Sequence, residues 1–169
     1  MKLPAANVTI LQDSREQQPL VITAYPVEVA TLPVGDYGVK SFSDWENPRF
    51  IIERKSLDDL CGSLGQGRER FMREIEKMRQ FGFRALIIEA AKDQVELAAY
   101  RSLIAPASVL ATLDALAVRC GLHIFWAQDA TGAARCLEGL VRQFVRGLEK
   151  DYRKLVEEQK TKPERGLEP

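Results

Sequence analysis

The sequence predicts an α/β fold, a central mixed β-sheet flanked by helices on both faces. Three observations carry that prediction. The first third of the chain is a series of short β-branched, apolar runs separated by turn residues. The remainder alternates apolar strand patterns with helical periodicities. At 169 residues, 46% hydrophobic and 28% charged, the chain can bury one substantial core and is too short for two comfortable ones. Strands that feed a crossover helix should be parallel, and the early hairpin-like strands antiparallel.

Residues 7–12, "NVTILQ", form the first strand, closed by the polar cluster "DSREQQP". Residues 27–32 and 37–42 are two further strands around the turn "PVGD", where Pro33 and Gly35 supply the turn chemistry. "SDWENP" leads into the strand 50–53. Ser56 then caps a short helix with Asp59 at its N3 position, an approximate capping box. Glycines 62, 65 and 67 interrupt the chain before a helix over 68–81, where Phe71, Ile75 and Met78 recur at helical spacing. "FRALIIEA" is a buried strand, 93–100 a short helix or ordered loop, 108–119 a helix, and "LHIFWA" another strand. Residues 132–156 form a long amphipathic helix with the apolar stripe Leu137, Leu140, Val141, Phe144, Leu148, Tyr152 and Leu155.

Composition excludes several classes. Three widely spaced cysteines and a single His argue against a zinc site or a disulfide framework, and place the chain in a reducing, cytoplasmic compartment. No apolar run reaches the ~20 residues that span a bilayer, so no membrane partner is expected. The formal net charge is zero, so attraction to nucleic acid must come from a local patch.

Three acidic clusters fall at predicted strand ends: Asp13-Ser14-Arg15-Glu16, Gly35-Asp36-Tyr37, and Glu53-Arg54-Lys55 with Asp59 beyond. Singly, each has a plain structural reading: a solvated ion pair, a turn, a surface loop. Together, at the ends of strands that can pair, they converge on one edge of a sheet. Gathered carboxylates repel unless a positive charge sits among them, and oxygen-only donors favour Mg²⁺ or Mn²⁺. Alternation along a strand points Glu53 and Lys55 to one face and Arg54 to the other. A ligating Glu and a Lys two residues later can then address the same water and the same phosphate, the chemistry of metal-assisted phosphodiester hydrolysis.

The motifs "DSRE", "VGDY", "IIERKSLDDL" and "GSLGQGRERF" resemble the nuclease domain of the XPF/Hef structure-specific DNA endonucleases, with the pattern GD…ERKxxxD. The resemblance covers roughly residues 7–150. It implies a restriction-endonuclease-like core, a divalent metal (Mg²⁺ or Mn²⁺), and cleavage of branched or single-strand/double-strand junction DNA in repair, recombination or phage DNA processing. It further implies that Asp36 and Glu53 are metal ligands and that Lys55 organises the attacking water. Asp13, Arg15 and Glu16 correspond to the family's first acidic motif and Asp59 to its last, while Arg54 contacts phosphate or holds the acidic cluster together. Arg70-Phe71 followed by Glu74 fits the family's R-[LF]-x-x-[QE] pattern. The chain lacks room for the tandem helix-hairpin-helix modules of eukaryotic and archaeal relatives, and resembles the compact stand-alone form of bacteria and bacteriophages. A single nuclease domain over 1–158 and a flexible charged tail over 159–169 are expected.

The basic set Arg68, Arg70, Arg73 and Lys77 is the candidate DNA-backbone surface, against the alternative of a solvated face paired with Glu69, Glu74 and Glu76. "YRSLIAP", residues 100–106, is either a substrate-facing loop or packing. His123, in an apolar strand, is expected in the core, and Trp126 in the core or an interface. Part of the C-terminal stripe is a candidate homodimer contact; an unknown DNA-binding partner protein is the alternative source of grip. The rival functional class is a noncatalytic DNA-binding or scaffold subunit pairing with an active nuclease. A third is a restriction-type nuclease, for which the chain shows no dedicated base-reading element.

Overall fold

The computed structural model describes residues 8–161, with side chains to residue 158. Its strands are β1 (Ile10–Asp13), β2 (Val27–Ala30), β3 (Tyr37–Val39), β4 (Phe50–Ser56), β5 (Phe83–Glu89) and β6 (His123–Trp126). The helices are α1 (Leu57–Leu64), α2 (Arg68–Met78), α3 (Lys92–Glu96), α4 (Pro106–Cys120) and α5 (Ala130–Thr161). One mixed sheet runs in the order β2-β1-β3-β4-β5-β6. β4, β5 and β6 are parallel, linked by the α1–α2 and α3–α4 crossovers. β3 runs antiparallel to both β1 and β4.

The expected pairing of the second and third strands does not form. β2 instead lies outside β1, parallel to it, with Ile10 opposite Val27. Burial explains the choice. Tyr37, Gly38 and Val39 are all buried and take the interior position between β1 and β4. The "VEVA" of β2 is exposed over its first three residues, which suits an edge.

Each face of the sheet packs its own core. Ile51, Leu86 and Ile88 meet Leu60, Phe71, Ile75, Met78 and Leu113 of α1, α2 and α4. Phe50, Ile52, Ala85 and Ile87 meet Leu137 and Val141 of α5. Strands covered on both faces must be apolar at every position, which is why "FII" and "ALII" do not alternate. Phe50, Ile51 and Ile52 are fully buried; each contributes roughly 1.5–3 kcal/mol.

β4 extends three residues past the expected Glu53, so Glu53, Arg54 and Lys55 all lie within the strand. Ser56 caps α1, its Oγ accepting the Asp59 N–H at 3.2 Å. His123 departs from expectation: it is exposed on the edge strand β6 and stacks on Phe83 at 5.0 Å between ring centres. An edge strand leaves one side of the residue to solvent, which the apolar pattern of β6 did not reveal. Trp126 is half-buried against the α4-side core. On α5, Leu137 and Val141 are buried and Leu140 and Phe144 half-buried, whereas Tyr152 and Leu155 are 54% and 57% exposed. The helix runs to Thr161, into the stretch expected as tail; residues 162–169 lie outside the described residues. Among the described residues, no helix is long and apolar enough to cross a membrane.

Candidate active site

The site is built where β3 stops and β4 continues. Tyr37, the first residue of β3, pairs with Ile52. Beyond that point β4 has no strand opposite on this side, and its next inward-facing donor, the Arg54 N–H, needs an acceptor. Asp36 supplies it: Oδ2 accepts the Arg54 N–H at 2.7 Å. The Asp36 main chain is held as well, its N–H on the Ile52 carbonyl and its carbonyl accepting the Asp13 N–H, both at 2.8 Å. Gly35 makes this approach possible. Its φ is +74°, and a Cβ there would lie 2.8 Å from the Ile52 oxygen and 2.9 Å from Ile51 Cγ1. The Gly-Asp dipeptide is thus a backbone requirement followed by a functional side chain.

Glu53 and Lys55 emerge from the same face of β4. Lys55 Nζ lies 3.0 Å from Glu53 Oε1 and 5.1 Å from the centre of the Phe71 ring. With Asp36 they line a cleft of about 260 Å³, whose walls include Asp13, Arg15, Arg70, Glu74 and Lys77. An adjoining cleft of about 410 Å³ shares Lys55, Arg70 and Glu74 with it and continues past Asp58, Asp59 and the glycines 62 and 67. A larger groove of about 570 Å³, between α4 and β6, gathers no such pair of carboxylates.

The electrostatics are those of an under-compensated acidic site. Burial, with the charge of Glu16 adding to it, pushes the Asp36 carboxyl up to about 6 against the opposing Arg54 N–H. Burial first and the Asp36 charge second push Glu53 up to about 7, with Lys55 opposing both. Burial pulls the Lys55 ammonium down, but the charge and hydrogen bond of Glu53, together with the charges of Asp36 and Glu74, outweigh it and leave the group above its ordinary value. Lys55 is therefore a fixed positive charge here.

The remaining sequence-derived candidates divide. Asp13 is 1% exposed and accepts four hydrogen bonds, from the Arg15 N–H, the Arg15 guanidinium twice, and the Leu32 N–H. Burial works to raise its carboxyl, but these bonds together hold it below the usual value. It braces the turn that carries Arg15, which stands at the cleft mouth. Glu16 lies with Arg54 in the buried pair described below. Asp59 is at the start of α1, bonded to Ser56 Oγ at 2.7 Å and lining the second cleft. Of the basic set, Arg70 and Lys77 line the cleft; Arg68 reaches toward Thr112 on α4, and Arg73 pairs with Glu69 in solvent. Arg101 is tied to Asp58 through its N–H at 2.9 Å.

Arg54 points opposite to Glu53 and Lys55, as alternation requires. Its guanidinium is 9% exposed and engaged by two acids, Glu16 and Glu89. Nε, Nη1 and Nη2 each donate to one of these acids, the arrangement of the second of its two expected roles, holding acidic side chains together. Sequence reading passed over Glu89. The signal was present: "FIIE" and "LIIE" both follow a buried apolar run with an acid, yet only the strand register shows that the second acid meets Arg54.

The donor set fits a hard divalent cation. The half-buried Asp36, raised by burial and Glu16, and the buried Glu53, raised by burial and Asp36, demand positive charge that Lys55 only partly supplies. Asp36 and Glu53 are the residues that would hold such an ion. Among the described residues no three His, Cys, Asp or Glu side chains gather as a closed metal site. Two carboxylates with open positions for water and phosphate suit Mg²⁺ better than a full protein cage would.

A mixed sheet wrapped by helices, with this acidic cleft where its antiparallel and parallel halves meet, defines the restriction-endonuclease-like class of α/β folds. The chain belongs to the ERCC4 domain family, whose sequence model matches residues 12–140. XPF from Aeropyrum pernix is similar at 25% identity and a TM-score of 0.64, over 80% of this chain and 60% of that one. The structure of XPF from Aeropyrum pernix in complex with DNA is similar in fold at 21% identity and a TM-score of 0.61, over 82% of this chain and 66% of that one. The chain thus spans less than two thirds of the length of either. No curated protein sequence matches it.

Proposed function

We propose that the chain is an Mg²⁺- or Mn²⁺-dependent DNA endonuclease that hydrolyses phosphodiester bonds at branched or single-strand/double-strand junction structures, in DNA repair, recombination or phage DNA processing. The observation that carries this is the convergence of Asp36 and Glu53, both driven toward protonation, beside the charged Lys55. A bound divalent ion supplies charge to the phosphate and acidifies a water. Asp36, immediately before β3, and Glu53, within β4, hold the site's geometry from two neighbouring strands. Lys55 donates from its ammonium to a phosphate oxygen or to the attacking water and, being charged, acts by orientation and electrostatics in place of proton abstraction. Arg70 and Lys77 guide the DNA backbone along the cleft. The exposed Tyr152 and Leu155 on α5 support a homodimer contact, which sedimentation of a Tyr152→Arg variant tests.

The test is cleavage of labelled flap, splayed-arm, four-way-junction and linear duplex DNA with Mg²⁺, Mn²⁺ or EDTA. Metal-dependent cuts near a junction, abolished by Glu53→Gln and Lys55→Ala, are expected. Metal-independent junction binding with no cleavage of any substrate assigns the chain to the noncatalytic class.

A further inference from the structure

Behind the cleft, on the α5 face of the sheet, three side chains form a buried ion cluster. Arg54 Nη1 donates to Glu89 Oε1 at 2.6 Å, Nη2 to Glu16 Oε1 at 3.0 Å, and Nε to Glu16 Oε2 at 3.1 Å. Their side chains are 9%, 12% and 6% exposed for Arg54, Glu89 and Glu16. The cluster draws on three elements. Glu16 follows β1, Arg54 is inside β4, and Glu89 closes β5, opposite Ser56 in the parallel register. The same Arg54 holds Asp36 through its main-chain N–H, at the position where β3 no longer supplies a carbonyl. Side chain and main chain of one residue therefore link the cluster to one of the two cleft carboxylates.

We propose that Glu89 is a positioning residue: with Glu16 it clamps the Arg54 guanidinium from the α5 face, and through the Arg54 main chain it fixes the Asp36 carboxylate for cation binding. This rests on Asp36 and Glu53 being the cation ligands. A bidentate acid fixes one edge of the guanidinium, and a second acid on the remaining terminal nitrogen fixes the other. Glu89 belongs to none of the acidic clusters at the cleft and reaches the ion site only through Arg54. Its effect should follow the position of its oxygen and be insensitive to its charge.

Two mild variants separate those properties. Glu89→Gln keeps an oxygen within reach of Nη1 and discards the charge; Glu89→Asp keeps the charge and withdraws it by one methylene. The Mn²⁺ affinity of each DNA-free protein is measured by calorimetry at pH 7.5, and amide hydrogen exchange at Arg54 is measured without metal. Glu89→Asp should weaken Mn²⁺ binding at least about fivefold and speed exchange at Arg54, while Glu89→Gln stays within about twofold on both. Any other pattern overturns the proposal: both variants unchanged, both weakened alike, or Gln weaker than Asp, which would make Glu89 a charge or packing residue. If the wild type takes up no Mn²⁺, the assignment of Asp36 and Glu53 as ligands fails, and the proposal for cation binding with it. Exchange at Arg54 still reports whether the clamp exists.

Discussion

Replacing Asp36 by Asn should raise the stability of the cation-free protein at pH 7.5, although it removes a proposed ligand. The amide can still accept the Arg54 N–H, now 2.7 Å from Asp36 Oδ2, and the Glu53–Lys55 pair is untouched. What disappears is a charge held against burial and against Glu16. Each pKa unit is worth about 1.4 kcal/mol, so a rise from 3.8 to about 6 caps the gain at about 3 kcal/mol. Solvent reaches Asp36 through the cleft, and screening there lowers the expected gain to about 1–2 kcal/mol. For a domain of this size that is a Tm increase of about 2–8 °C. The pH dependence gives the prediction its sign. A carboxyl whose folded-state pKa is raised binds its proton more tightly in the folded protein. Its contribution to stability is complete below the ordinary 3.8 and is lost as the pH climbs through about 6. The difference between wild type and Asp36→Asn should therefore be open at pH 7.5 and about half closed at pH 5. Thermal and urea unfolding in EDTA at the two pH values measure it. Millimolar Mg²⁺ should then stabilise the wild type by mass action and leave the variant unchanged. Destabilisation by Asp36→Asn at pH 7.5, or a gap equal at both pH values, refutes the electrostatic argument.

Three further outcomes follow from the same geometry. Gly35→Ala forces a side chain into a φ of +74° and against the Ile52 carbonyl; a loss of about 1–3 kcal/mol in urea unfolding, together with loss of Mn²⁺ uptake, is expected. Glu138, 9% exposed on α5, accepts the Thr23 and Ala24 N–H groups at 2.7 and 2.8 Å and so ties the segment between β1 and β2 to the helix. Glu138→Ala should cost about 1–3 kcal/mol and deprotect those two amides in hydrogen exchange, while Glu138→Gln retains most of both. Arg70→Ala and Lys77→Ala should each lower the slope of log affinity for junction DNA against log salt by about 1. Arg70 and Arg73 both pair along α2, with Glu74 and Glu69, but Arg73 lies away from the cleft, and Arg73→Ala should change the slope by less.

Much of this molecule was legible in the order of its residues. The run "FII" followed by Glu, Arg and Lys specifies a strand buried on both faces that delivers two side chains to one face and one to the other, because a strand's period is two. Gly35-Asp36 and Ser56-Leu57-Asp58-Asp59 could be read as a turn and a capped helix for equally local reasons. Periodicity also placed α2 and α5. The order of the strands was another matter. Nothing near residues 27–30 says that β2 pairs with β1 and not with β3, since that choice depends on which strand can bury both faces.

Arg54 shows the same division within a single residue. Alternation settled that it leaves the face that carries Glu53 and Lys55. Its partners could not be read from the chain, because Glu16 lies 38 positions before it and Glu89 35 positions after. Likewise the raised carboxyls of Asp36 and Glu53 come from burial and from a neighbour across the sheet. Local order along the chain sets which side chains share a face, where the backbone must turn, and that a carboxylate and a lysine stand two residues apart on a rigid strand. Only the tertiary structure decided which strands lie side by side, and hence which charges meet, because pairing between distant segments is set by the burial of whole faces and not by any residue's immediate neighbours.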